Sequence, residues 1–195
     1  MRLCQHVLLI PAILASIGPG TPAESHHSWC FVGEQVRMQV GDSVFVVEGN
    51  YDFERGDSPQ DLVIRYPFPS DTTLGTPELL KSTADTPAGR FPMEIVPGQD
   101  GWRWVLSSSW GRKVSVHVTY RQAMLANHAT YVLTSARDWG RPLREAVVEV
   151  CLPPKAIADI SPALPRLVTN ERGHVHEGQF RNWLPEEDLV VRLLR

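Results

Sequence analysis

Two histidines two positions apart, His174 and His176 in the run HVHEGQF, come nearest in this sequence to a metal-ligand spacing. On a β-strand they project from one face, where a third ligand from a neighbouring strand would complete a zinc-type set. Glu177 points the other way, and His26, His27, His117 and His128 have no spacing that joins them to the pair. An H-x-H without further ligands at fixed spacing is weak evidence for a metal, and hydrogen-bonded strand histidines are the simpler expectation. A hydrolytic site would need a nucleophile, a base and an orienting group. Ser107, Ser108 and Ser109 stand in SSSW with no G-x-S-x-G elbow around them and suit a strand end or turn. Glu186, Glu187 and Asp188, or Asp57 with Asp61, lack a twelve-residue calcium loop and suit solvated surface. No cofactor is implied. Trp102, Trp104, Trp110, Trp139 and Trp183 are many large aromatics for this length, able to line a sugar- or peptide-binding groove or to plug the core.

The chain opens with Arg2, an apolar run from Val7 to Ile17 and the small, turn-forming GPGTPA, the pattern of a secretory signal peptide over residues 1–23. That run is short and broken by Pro11, and no later stretch reaches ~20 apolar residues, so stable membrane insertion is not expected. Residues 24–195 would then be a single domain, periplasmic or secreted. Removal of Cys4 leaves Cys30 and Cys151, and two cysteines in an exported protein usually pair, so a disulfide between Cys30 and Cys151 is expected. The formal net charge is −3, from 19 basic and 22 acidic residues; loss of Arg2 leaves 18 basic residues and −4. Neither nucleic acid nor an anionic membrane is favoured as a partner on that charge.

The elements that must position any of these groups read as strands. Residues 112–154 give three in succession, an antiparallel meander: the first sets Val114, Val116, Val118 and Tyr120 on one face, the second covers 129–136, and the third 146–152. Upstream, 34–40, 43–54, 61–66, 91–96 and 102–106 have strand character, as do 174–181 and 188–194 downstream. Residues 153–165 hold four prolines and break regular structure. About ten short strands and no amphipathic helix predict an all-β fold, a two-sheet β-sandwich of immunoglobulin-like or jelly-roll-like kind. Residues 70–89 are aperiodic, with one short helical possibility at 77–82, and read as a long loop. Such loops carry function on a rigid scaffold, so Asp71, Thr72, Thr73 and the adjoining Arg90 are the candidate binding loop.

Val118-Thr-Tyr120-Arg-Gln122, Thr130-Tyr131-Val-Leu133-Thr134-Ser135 and Trp139-Gly-Arg-Pro142-Leu143, with YPFPSD at 66–71 and LPEEDLVV at 184–191, resemble secreted bacterial proteins carrying an uncharacterised domain. The resemblance implies an exported β-sandwich and supplies no catalytic residue. Arg55-Gly56-Asp57-Ser58-Pro59 resembles the RGDSP string of integrin-binding loops, although these residues are also turn formers. The leading expectation is a non-catalytic module that binds a protein, peptide or glycan through loops. The alternative is an extracytoplasmic hydrolase or metal-dependent enzyme whose site the spacing does not reveal.

Overall fold

Inward-facing side chains recur at every second position along the long strands, which is what a sheet with one buried face requires. The computed structural model describes residues 29–194 apart from 58, 70, 99, 100 and 172; the expected signal peptide, with His26 and His27, lies outside them. In chain order the strands are β1 (Trp29–Val40), β2 (Val44–Arg55), β3 (Leu62–Tyr66), β4 (Glu78–Thr86), β5 (Gly89–Pro92), β6 (Val96–Gly98) and β7 (Gly101–Leu106). They continue with β8 (Lys113–Ala123), β9 (His128–Tyr131), β10 (Leu143–Leu152), β11 (Ile157–Ser161), β12 (Arg166–Asn170), β13 (Gly173–Trp183) and β14 (Leu189–Leu194). Two short 3-10 helices, Ser108–Trp110 and Thr134–Trp139, interrupt the series.

The fold is an all-β sandwich. One layer is an eight-stranded sheet in the order β12-β13-β10-β1-β2-β8-β4-β5. All its pairings are antiparallel except β1 with β10, which run parallel with Val36 beside Val148 and Met38 beside Val150. The second layer is split into two separate three-stranded sheets, β11-β14-β9 and β3-β7-β6. Val36, Met38, Phe45, Val47, Val116, Val118, Val148 and Val150 from the large sheet meet Ile64, Trp104, Leu106, Ala129, Leu189 and Val191 from the small ones in one core. Each Val, Leu, Ile, Met or Phe side chain among them contributes ~1.5–3 kcal/mol on leaving water.

Several expectations need correction. Fourteen strands are present among the described residues where about ten were expected, because short edge strands have too few residues to show a period. The three strands of 112–154 are no meander: β8 lies between β2 and β4, β9 pairs with β14 in the other layer, and β10 pairs with β1 and β13. Local alternation fixes which face of a strand is dry but not its neighbour. The second of them stops at Tyr131, and 134–139 turn into a 3-10 helix. Most of the expected loop at 70–89 is strand: β4 pairs along β8 with only Ala84 fully inward, so it shows no apolar period, and the helical possibility at 77–82 is absent. The expected strand at 91–96 is divided between β5 and β6, and β11 crosses the proline-rich 153–165.

The Cys30 to Cys151 disulfide is also overturned, and both residues are free thiols. Cys151 stands beside Gln39, nine residues along β1 from Cys30. At ~3.3 Å per residue that is about 30 Å, against the ~7 Å limit between bridged Cα atoms. An even cysteine count says nothing of where the strands bring the thiols.

Candidate functional site

The split in the second layer leaves a cavity of about 220 Å³ where the two small sheets fail to join. Its floor is the large sheet, through Phe31 and Glu34 of β1 and Tyr51 and Phe53 of β2. One wall is β3 with the following Pro67. The other is formed by Tyr131, Val132, Ser135, Asp138 and Trp139, at the end of β9 and along the 3-10 helix.

A β-bulge builds the floor. The register with β2 slips between Phe31 and Gly33, so Val32 is the extra residue and Phe31 and Glu34, three apart, both point inward. Glu34 sits opposite Tyr51. The phenol of Tyr51 lies back along its own strand over Gly49, so closely that a Cβ there would overlap the hydroxyl oxygen. Glycine at 49 is the condition for that tyrosine pose.

Glu34 is 4% exposed, yet it carries an acid. Tyr131 donates its hydroxyl proton to Glu34 Oε1 at 2.6 Å. A phenol has one proton to give, so in the 3.0 Å bond between Tyr51 and Tyr131 the donor is Tyr51, and in the 2.7 Å bond between Tyr51 and Tyr66 it is Tyr66. Three O–H groups therefore point in series, Tyr66 to Tyr51 to Tyr131, at one carboxyl. Tyr66 belongs to one small sheet and Tyr131 to the other, so the series also ties the two across the split.

Burial pushes the Glu34 carboxyl up to about 7, and the Tyr131 hydrogen bond pulls it back in part. Burial also holds the phenols of Tyr51, Tyr66 and Tyr131 well above their ordinary value, so they remain protonated. With their protons committed along the series, two groups lining the cavity keep hydrogen-bonding capacity: Glu34, whose other oxygen has no hydrogen bond among the described residues, and Trp104, whose buried Nε1–H has no acceptor among them. Apolar rings surround Glu34: Phe31 stacks on Phe53 at 5.2 Å, and Trp139 packs on them at 5.8 and 5.6 Å. An aromatic hollow with one buried acid is suited to a cation or a hydrogen-bond donor on an apolar stem.

The residues singled out in the sequence are elsewhere and apart. Asp71 accepts from the backbone N–H and hydroxyl of Thr73 and from His128 Nε2 at 2.7 Å, contacts that hold its carboxyl down at about 2. Arg90 grips Asp85 with two nitrogens at the far edge strand, and Asp85, likewise at about 2, also meets His117 Nε2 at 3.0 Å. Leu74 bridges to Met124 whereas Asp85 pairs with Ser115, so Asp71 to Thr73 and Arg90 lie toward opposite ends of β8 and form no common surface. Thr72 adjoins the Asp71 turn.

His174 bonds to Thr169 Oγ1 and to the Pro154 carbonyl. Among the described residues no three of His, Cys, Asp and Glu come close enough to hold a metal. In the RGDSP string, Arg55 donates to the Ser108 carbonyl and Asp57 pairs with Arg112; Ser58 lies outside the described residues. Trp102 and Trp104 are core residues, Trp110 packs on Phe91 and Trp183 on Phe180, so of the five candidate groove tryptophans only Trp104 and Trp139 line the cavity.

Glu34 was missed by sequence reasoning although a signal was there. It precedes Val36, Met38 and Val40 in the same two-residue phase, an acid on the dry face. A second hollow, of about 630 Å³ and lined by Pro153, Pro154, Ile157 and Leu193 among others, contains no buried ionisable group.

No protein-family model and no curated protein matches the chain. Among solved structures it is similar to the M1 zinc metallopeptidase of Deinococcus radiodurans, with TM-score 0.53 at 10% identity over 85% of this chain and 42% of that one. A mutant of that enzyme bound to a Tyr-Ser-Ala substrate matches with TM-score 0.53 at 10% identity, over 88% and 44%. Native yeast LTA4 hydrolase matches with TM-score 0.50 at 8% identity, over 85% and 29%. This chain thus spans less than half the length of those it resembles, and at such identities the likeness is one of fold.

Proposed function

We propose that this protein is an exported, non-catalytic binding domain that receives a cationic group on an apolar stem in the cavity above Glu34. One observation carries the reading: a carboxyl buried among Phe31, Phe53, Tyr51 and Trp139, given a single side-chain hydrogen bond and left facing the cavity. An unpaired carboxylate in such surroundings is costly, and an arriving ammonium or guanidinium offsets that cost while its stem covers the rings. The named activities of the similar metallopeptidase and LTA4 hydrolase give no support to a hydrolytic reading here, because the similarity is of fold over less than half of those chains.

The test is an NMR titration with n-pentylamine and its neutral counterpart n-pentanol. The amine is expected to shift Phe31, Glu34 and Tyr51 resonances saturably and to bind about tenfold or more tighter than the alcohol, the margin of a charge-assisted hydrogen bond. Glu34→Gln should abolish that margin. Equal affinity for the two probes, or no saturable shift, would remove the reading.

A further inference from the structure

Resting on that reading, we infer that the ligand is an extended peptide that adds as a strand to the free edge of β3, with one lysine or arginine side chain entering the cavity. The wall formed by β3 carries the argument. Side chains alternate between the two faces of a strand, so a hollow against one face touches every second residue. This cavity touches Leu62, Val63, Ile64, Arg65, Tyr66 and the following Pro67 without a gap. A hollow touched by consecutive residues lies against the edge of the strand, where the backbone is.

That edge is unpaired. β3 is the terminal strand of its sheet, and its register runs to β7 alone, from Leu62 beside Leu106 to Tyr66 beside Trp102. No other backbone or side-chain hydrogen bond reaches its main chain among the described residues. In an antiparallel pair every second residue turns its N–H and C=O away from the partner, so β3 presents such groups toward the cavity. Across the hollow, β9 is likewise the last strand of its own sheet.

An incoming chain would thus lie in the gap between two sheet edges, above the aromatic floor. Main-chain bonds to β3 would provide affinity and the Glu34 hollow would select the residue, as in other strand-addition complexes. Five residues of β3 match a peptide of about that length. The lips carry one charge of each sign, Arg65 on the β3 side and Asp138 on the other, with no ion pair between them among the described residues. A small amine would use the hollow and leave the edge bare; an extended peptide uses both.

The experiment titrates the protein with acetyl-Val-Thr-Lys-Thr-Val-amide and with two forms of it N-methylated on alternate backbone amides, using n-pentylamine as the control. The parent peptide is expected to bind at least a hundredfold tighter than the amine. Methylation in one alternate set should weaken it tenfold or more, and in the other set should change it little, because only one set faces β3. Slowed hydrogen exchange at alternate amides within 62–66 should accompany binding. A peptide no tighter than the amine, or two methylated forms equally active, would overturn strand addition and leave the cavity reading standing. Absence of saturable binding by amine and peptide alike would mean that the cavity reading itself has failed.

Discussion

At the scale of single residues, the molecule keeps one acid where its own pattern calls for a hydrocarbon. Glu34 has the phase of Val36 and Met38, and the folded chain binds its proton more tightly than an unfolded chain would, since burial takes the carboxyl from 4.5 to about 7. A raised carboxyl contributes stability that is fully present below the unfolded value and is lost as pH rises through the folded one. Unfolding in denaturant should therefore show a protein up to about 3 kcal/mol less stable at pH 8 than at pH 4.5, and Glu34→Gln should flatten that slope. An unchanged slope in the variant would mean that another group is responsible. Asp71 and Asp85, both lowered to about 2, act in the opposite sense and only in acid below their ordinary 3.8, outside this window. The acid was legible in the sequence as an exception to alternation. Its phenol series was not, because Tyr51, Tyr66 and Tyr131 come from strands whose proximity no local pattern encodes.

Among the elements, the long strands were legible and the short ones were not, for a physical reason that β4 illustrates. It is held by its pairing with β8 rather than by an apolar face, and Leu79 and Leu80 are exposed, so composition marks it as loop. Register has consequences that strand assignment alone misses. Because β1 and β10 run side by side with Cys30 and Cys151 toward opposite ends, mass spectrometry of unfolded, unreduced protein should find Cys30 and Cys151 both alkylatable. The melting temperature should also be unchanged by reductant. In the native state Cys151 should react slowly, since burial raises its thiol and leaves little thiolate. A single oxidised species without free thiols would contradict the register.

For the whole molecule, an all-β sandwich was readable from strand spacing, whereas the split second layer that creates the cavity was not. No residue marks the absence of a bond between β3 and β9, each the last strand of its own sheet. The parallel neighbours β1 and β10 carry a further consequence, one of order in time. The first strand to leave the ribosome among those described waits for a partner more than a hundred residues later, and until 143–152 arrive its twelve residues form an open edge. Such edges recruit other chains, and pairings so distant in sequence form slowly. A chain ended at residue 142 should be insoluble or lack dispersed NMR signals, and co-expression with residues 143–194 should rescue it; a soluble, dispersed fragment would show that β1 needs no such partner. Synthesis of this protein therefore contains a vulnerable interval that the finished sheet conceals.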